Sequence, residues 1–205
     1  FDVMFWAWAA YLTIRIIKEP RPHLWMFLGL VLGLGLENKI SVLWLGFGLF
    51  VGFVFTTQRR YFISPWPWLA AAIAAVVFVP HVLWQIQNGW PTIEFMRNAT
   101  GLKMAPVAPL DFLSGQILTM NPVALPIWLG GLVFFFFAPG GRQYRLLGWA
   151  WLAVCLLLML SGSSRANYLS PAYTWLFAGG GVAIERLLAR FGERVAGVLD
   201  PITSV

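Results

Sequence analysis

One cysteine, two histidines and eight acidic residues are all that the 205 positions offer for disulfide, metal or carboxylate chemistry. A lone Cys155 cannot close an internal disulfide, and inside the run from Ala153 to Leu160 it reads as a small buried hydrophobe. His81 has no close acidic companions in sequence, so no metal site is implied. Charged residues make up 11% of the chain, too few to keep so apolar a chain dispersed in water. No glycine-rich phosphate loop follows a strand pattern, and no basic surface carries interleaved base-reading groups, which excludes nucleotide-loop and nucleic-acid readings. No basic n-region or small-residue cleavage site precedes the first apolar run, so no signal peptide is read. Phe1 opens directly in that run, and the chain reads as an internal or truncated piece of a longer protein.

What is present is apolar: 60% hydrophobic residues, 12 Trp, 17 Phe and a mean hydropathy of +0.75, for which lipid is the natural solvent. The apolar stretches are residues 1–17, 24–36, 40–55, one ending at Pro80, 122–138, 144–160 and 172–188. They predict an all-α polytopic membrane protein with about seven spans, several of them shorter than the ~20 residues a perpendicular helix needs. Gly29 with Gly33, and Gly48 with Gly52, are small residues at helical spacing that let helices approach closely. Trp66, Trp68, Trp90 and Trp128 read as interfacial anchors.

The basic residues punctuate the spans unevenly. Arg15, Lys18, Arg21, Arg59, Arg60, Arg142, Arg145, Arg186, Arg190 and Arg194 fall on one side of the predicted membrane, against Lys39, Arg97, Lys103 and Arg165 on the other. Acids divide equally between the sides, so the +6 formal charge reports topology, and the richer side is assigned to the cytoplasm. The expected domain is 1–188, with an outer loop at 81–121 and a cytoplasmic or interfacial tail at 189–205.

The outer connections hold the polar residues. In the longest, Asn88-Gly89 and Trp90-Pro91 signal turns, and Ile93 to Asn98 predicts a short helix capped by Thr92. Leu110 to Met120 predicts an interfacial helix with a Leu113, Ile117 and Met120 stripe. The shorter connections supply Glu37, Asn38 and Lys39, and then Arg165, Asn167 and Tyr168. Asp2 belongs to the same outer layer. These positions can converge on a cavity in which a cation holds the phosphate of a lipid carrier.

Four stretches resemble a bacterial glycosyltransferase family 39 protein, of the dolichyl-phosphate-mannose-protein mannosyltransferase-like, GT-C superfamily. They are Asp2-Val3-Met4-Phe5-Trp6, Leu34 to Lys39, Pro80-His81-Val82-Leu83-Trp84 with Asn88-Gly89-Trp90-Pro91-Thr92, and Arg165 to Tyr173. The resemblance implies a GT-C-like helical bundle in the bacterial cytoplasmic (inner) membrane. It also implies transfer of a sugar from a polyprenyl-phosphate carrier to a lipid or protein acceptor at the non-cytoplasmic face. The polyprenyl-phosphate sugar is the donor substrate and no cofactor is established. In that family the acid of the reaction lies in the first large outer loop. The chain corresponds to a later part, so the expected activity belongs to the complete parent, and the piece alone is expected to be inactive.

Under this reading Asp2 is the candidate acid, and Lys39, Arg165, Tyr168, His81 and Asn88 are candidate substrate contacts. Each has a plainer role beside it. Asp2 suits a helix start, Lys39 suits a snorkelling helix end, Arg165 suits a solvated loop and His81 suits structural hydrogen bonding. A small-solute transporter or a noncatalytic membrane subunit is the alternative, although no internal half-repeat is evident.

Overall fold

The computed structural model describes the backbone of residues 1–102 and 106–203, and the side chains of residues 1–98 and 106–189. Lys103, the side chains of Arg190 and Arg194 and nearly all side chains of the 189–205 tail lie outside the described residues. Nine α-helices follow in order among the described residues: α1 (Asp2–Lys18), α2 (Pro22–Asn38), α3 (Val42–Val54), α4 (Trp66–Gln87), α5 (Pro91–Leu102), α6 (Pro109–Thr119), α7 (Leu125–Phe137), α8 (Arg145–Leu160) and α9 (Tyr173–Thr203). Short 3-10 helices at Thr57–Ile63, Pro122–Ala124, Arg142–Tyr144 and Ala166–Ala172 make the joints. No strand occurs among the described residues.

Helices form in every predicted apolar stretch, but fewer of them than seven have the length to cross a membrane. Trp66–Gln87 and Arg142–Leu160 are long and apolar enough; two further crossings arise only if each of two bent pairs counts as one span. Those pairs are Val42–Val54 with Thr57–Ile63, bent by 105°, and Pro109–Thr119 with Pro122–Phe137, bent by 90°. Among the described residues, two helices, or four spans if each bent pair is one, therefore have the length and apolarity of a crossing. α3 and α7 have 13 residues each, which at 1.5 Å per residue gives about 20 Å, short of the ~30 Å hydrocarbon core.

Three helix pairs form the core seams, and glycine sets each one. A Cβ on Gly29 would collide with the Ala70 carbonyl, and one on Gly33 would come within 2.7 Å of Val77, so α2 lies directly against α4. Gly48 and Gly52 meet the carbonyls of Ala150 and Leu146, seating α3 on α8 in the opposite chain direction. Gly131 and Gly180 do the same for α7 and α9. The predicted small-residue spacing thus corresponds to backbone contact that a side chain would block. Trp6, Ile16, Leu45, Leu146, Leu147, Leu169 and Leu176 fill the centre where α1 meets these pairs. Phe47, Phe50 and Val54 on α3 stay exposed, the all-round apolarity of a helix whose outer face suits lipid.

Several local expectations are corrected. α4 does not end at Pro80 but continues to Gln87, so His81 to Gln87 are helical and not loop. Pro80 lacks one backbone donor, yet the turns on either side carry the helix past it. Thr92 is inside α5, which starts at Pro91; the turn before it is made by Gly89 and Trp90, both at positive φ. α6 buries Phe112 and Gln116 and leaves Leu113 exposed, because Gln116 finds partners inside. Trp128 is no interfacial anchor: it is buried, edge-on to Tyr173 at 5.4 Å and beside Trp151 at 6.1 Å.

Candidate functional site

At one end of the bundle, the first residue of α1 meets the turn between α2 and α3. Lys39 Nζ lies 3.0 Å from Asp2 Oδ2. Ser41 Oγ donates to the same carboxylate at 3.1 Å, and Trp6 Nε1, one helical turn along, donates to Oδ1 at 3.0 Å. The sequence builds this locally. α2 stops where Lys39 turns extended, with φ near −159°, and the chain re-enters helix at Ser41, so Lys39 and Ser41 flank one bend and face the start of α1. The carboxylate is mostly covered, with 14% of its side chain exposed, while Lys39 is 51% exposed and leaves part of its ammonium to solvent. Three donors engage an acceptor with about four lone-pair sites, so the hydrogen-bonding capacity of the Asp2 carboxylate is nearly filled.

Trp6 stacks on Trp175 at 6.0 Å, tying the carboxylate to α9. Trp44, just beyond Ser41, packs on Tyr168 at 5.8 Å. Tyr168 belongs to the 3-10 helix Ala166–Ala172, whose N-cap is Arg165, and the Arg165 side chain is exposed. Asp2, Lys39 and Tyr168 are therefore drawn to one end, and Arg165 stands at the edge of the same layer. Below it, buried Gln116 donates to the Ala166 carbonyl and accepts from the Tyr173 hydroxyl, each at 3.2 Å, which fixes α6 under this segment.

His81 and Asn88 are not brought to this cluster by any described contact. His81 sits 3.1 Å from Gln85 and stacks on Phe78 at 5.0 Å; Gln85 in turn bonds Thr92 through both its side-chain oxygen and its side-chain nitrogen. Asn88 donates to the Trp84 carbonyl at 2.8 Å. These are the bonds of a helix end and its turn, joining α4 to α5. No group of three or more His, Cys, Asp or Glu with metal-binding placement occurs among the described residues.

Sequence reasoning missed Ser41, Trp6 and Gln116. Ser41 was visible as the polar residue opening an apolar run, the usual signature of a helix start; its partner Asp2 was not, since they are far apart in sequence. Gln116 was visible only as an interruption of a stripe.

The other end of the bundle gathers the cations. A cavity of about 710 Å³ opens between the C-terminal ends of α3 and α7 and the start of α8, and is lined by Phe55, Arg59, Phe137, Arg142, Arg145 and Trp149 among others. This cavity is not part of the Asp2 cluster: the length of α3, about 20 Å, separates Ser41 from Phe55.

Residues 1–84 match the family model described as dolichyl-phosphate-mannose-protein mannosyltransferase. That stretch contains Asp2, Trp6, Lys39, Ser41 and His81, and stops short of Asn88, Arg165 and Tyr168. Comparison with curated proteins and with solved structures finds no match.

Proposed function

We propose that the chain is part of a membrane glycosyltransferase of the GT-C type. It moves a sugar from a polyprenyl-phosphate carrier to a lipid or protein acceptor at the non-cytoplasmic face of a bacterial inner membrane. The observation that carries this reading is the family match over residues 1–84, because the Asp2, Lys39 and Ser41 cluster lies within it. In the reaction an acceptor hydroxyl oxygen attacks the anomeric carbon and gives its proton to a carboxylate, a new glycosidic C–O bond forms, the bond to the carrier phosphate breaks, and the phosphate leaves with the bonding electron pair. Lys39 and Arg165 supply positive charge to that phosphate. Asp2 orients Lys39, and its remaining lone pair is the one an incoming acceptor hydroxyl meets. Tyr168 packs on Trp44 beside the Asp2 cluster and contacts substrate from that edge, while His81 and Asn88 contact substrate from the α4–α5 turn. The Asp2 end faces outward and the arginine-rich end faces the cytoplasm, and the piece forms a GT-C-like bundle of about seven spans.

Sugar transfer from a polyprenyl-phosphate donor, assayed with the membrane-inserted enzyme that carries this chain, tests the proposal. Lys39→Gln and Arg165→Gln should each lower transfer about tenfold, the loss of one charge-assisted bond to phosphate. Arg165→Lys should retain part of the rate. Unchanged donor dependence in both glutamine variants, with insertion intact, overturns these roles.

A further inference from the structure

The 710 Å³ cavity at the arginine-rich end has the composition of an anion site. Arg59 comes from the 3-10 helix after α3, Arg142 opens the 3-10 helix before α8, and Arg145 begins α8, so two joints bring three arginines to the lining of the same opening. None of the lining residues is acidic. Arg145 uses Nε and Nη2 on the Phe136 carbonyl, at 3.1 and 2.8 Å, which fixes its plane and leaves the other edge of the fork free. Arg59 and Arg142 are exposed and enter no ion pair among the described residues, and Glu19, just after α1, is taken by Arg15 and Arg21 at 3.3 Å each. Behind Gln143 a second cavity of about 380 Å³ carries Lys18 and Arg186, again without an acid in its lining.

One wall is aromatic. Phe55 stacks on Trp149 at 5.3 Å, Phe136 meets the same indole edge-on at 5.5 Å, and Phe137 stays exposed at the rim. A charged floor beside an exposed apolar wall suits a ligand that is an anion at one end and hydrocarbon at the other. Arginine forks match phosphate oxygens two at a time.

We propose that this cavity binds a phosphate ester, with Arg59, Arg142 and Arg145 on its oxygens and the Phe55–Trp149 wall beside its organic part. The site lies at the end of the bundle remote from Asp2 and does not depend on the glycosyl-transfer reading.

The full chain, immobilised in neutral-detergent micelles, is assayed for retention of radiolabelled phosphatidylglycerol, with inorganic phosphate as competitor. The Arg59→Gln/Arg142→Gln protein should retain it about tenfold less tightly, and Arg59→Gln alone, at an exposed side chain, should show part of the same loss. Arg21→Gln, at the same end but paired with Glu19, should change retention less than twofold. If millimolar inorganic phosphate displaces the lipid, the site takes soluble phosphates as well; if it does not, the aromatic wall selects the phospholipid. Equal losses in the Arg21 and Arg59 variants reveal only a diffuse positive surface and overturn the proposal, as does undiminished retention in the double variant with its melting transition preserved.

Discussion

The hydroxyl of Tyr173 and the ammonium of Lys39 each hold one hydrogen bond across the fold, yet their removal differs in consequence. Tyr173→Phe leaves the Gln116 side-chain oxygen buried without its donor, and should lower stability in micelles by about 1–3 kcal/mol. Lys39→Gln breaks a half-exposed ion pair, worth about 0–1 kcal/mol; thermal melts of the two variants check the order, and a larger loss at Lys39 contradicts it. The fold thus depends less on the Lys39 ammonium than on the Tyr173 hydroxyl. At this scale the sequence was partly legible. Asp2 and Lys39 stand out as charges at the ends of apolar runs, and their side chains do meet; Trp6 stands one helical turn from Asp2, but nothing local pairs Ser41 with it. His81 and Asn88 stand out equally by their motif, and they bond only within their own helix end and its turn. A polar residue in an apolar chain announces that it needs a partner, and the partner is set by which helices pack together.

Among elements, the glycine seams give the sharpest contrast. Gly46 and Gly52 lie on the same helix, but a Cβ at Gly46 meets nothing within 4 Å while one at Gly52 runs into the Leu146 carbonyl. Gly46→Ala should therefore stabilise by about 0.5–1 kcal/mol through helix propensity, and Gly52→Ala should destabilise by about 1–3 kcal/mol as α3 is pushed off α8. Opposite signs in a denaturant or thermal series are the expected result; two changes of the same sign would mean that the α3–α8 seam is not closed. The spacing of Gly48 and Gly52 marks a face of close helix approach without naming α8 as the helix that meets it. It did not disclose the phase of α6, where buried Gln116 overrides the Leu113 stripe, nor the passage of α4 through Pro80. Hydrophobic pattern ranks faces by apolarity, and a buried amide with two good partners inverts that ranking.

For the whole molecule, two ends of opposite character follow from helices that alternate in direction. With Cys155 replaced by alanine, single cysteines at Glu37 or Asn167 mark the Asp2 end, and single cysteines at Arg60 or Gln143 mark the arginine-rich end; all four positions are exposed. An impermeant maleimide should label the first pair on intact cells and the second only after permeabilisation. The reverse pattern would turn the molecule over and move the proposed transfer chemistry to the other face. The count of crossings was the part least legible, since bends of 105° and 90° divide apolar runs that composition alone treats as continuous. The same bends have a mechanical consequence. With α3 and α7 about 20 Å long in a hydrocarbon layer of ~30 Å, the surrounding bilayer must thin toward the protein or long flanking side chains must snorkel out to the interface. The cost is a fraction of a kcal/mol for each ångström of mismatch. The protein would then partition into thin membranes, and its short helices would pull the lipid headgroup plane inward to the depth of Arg59 and Arg142.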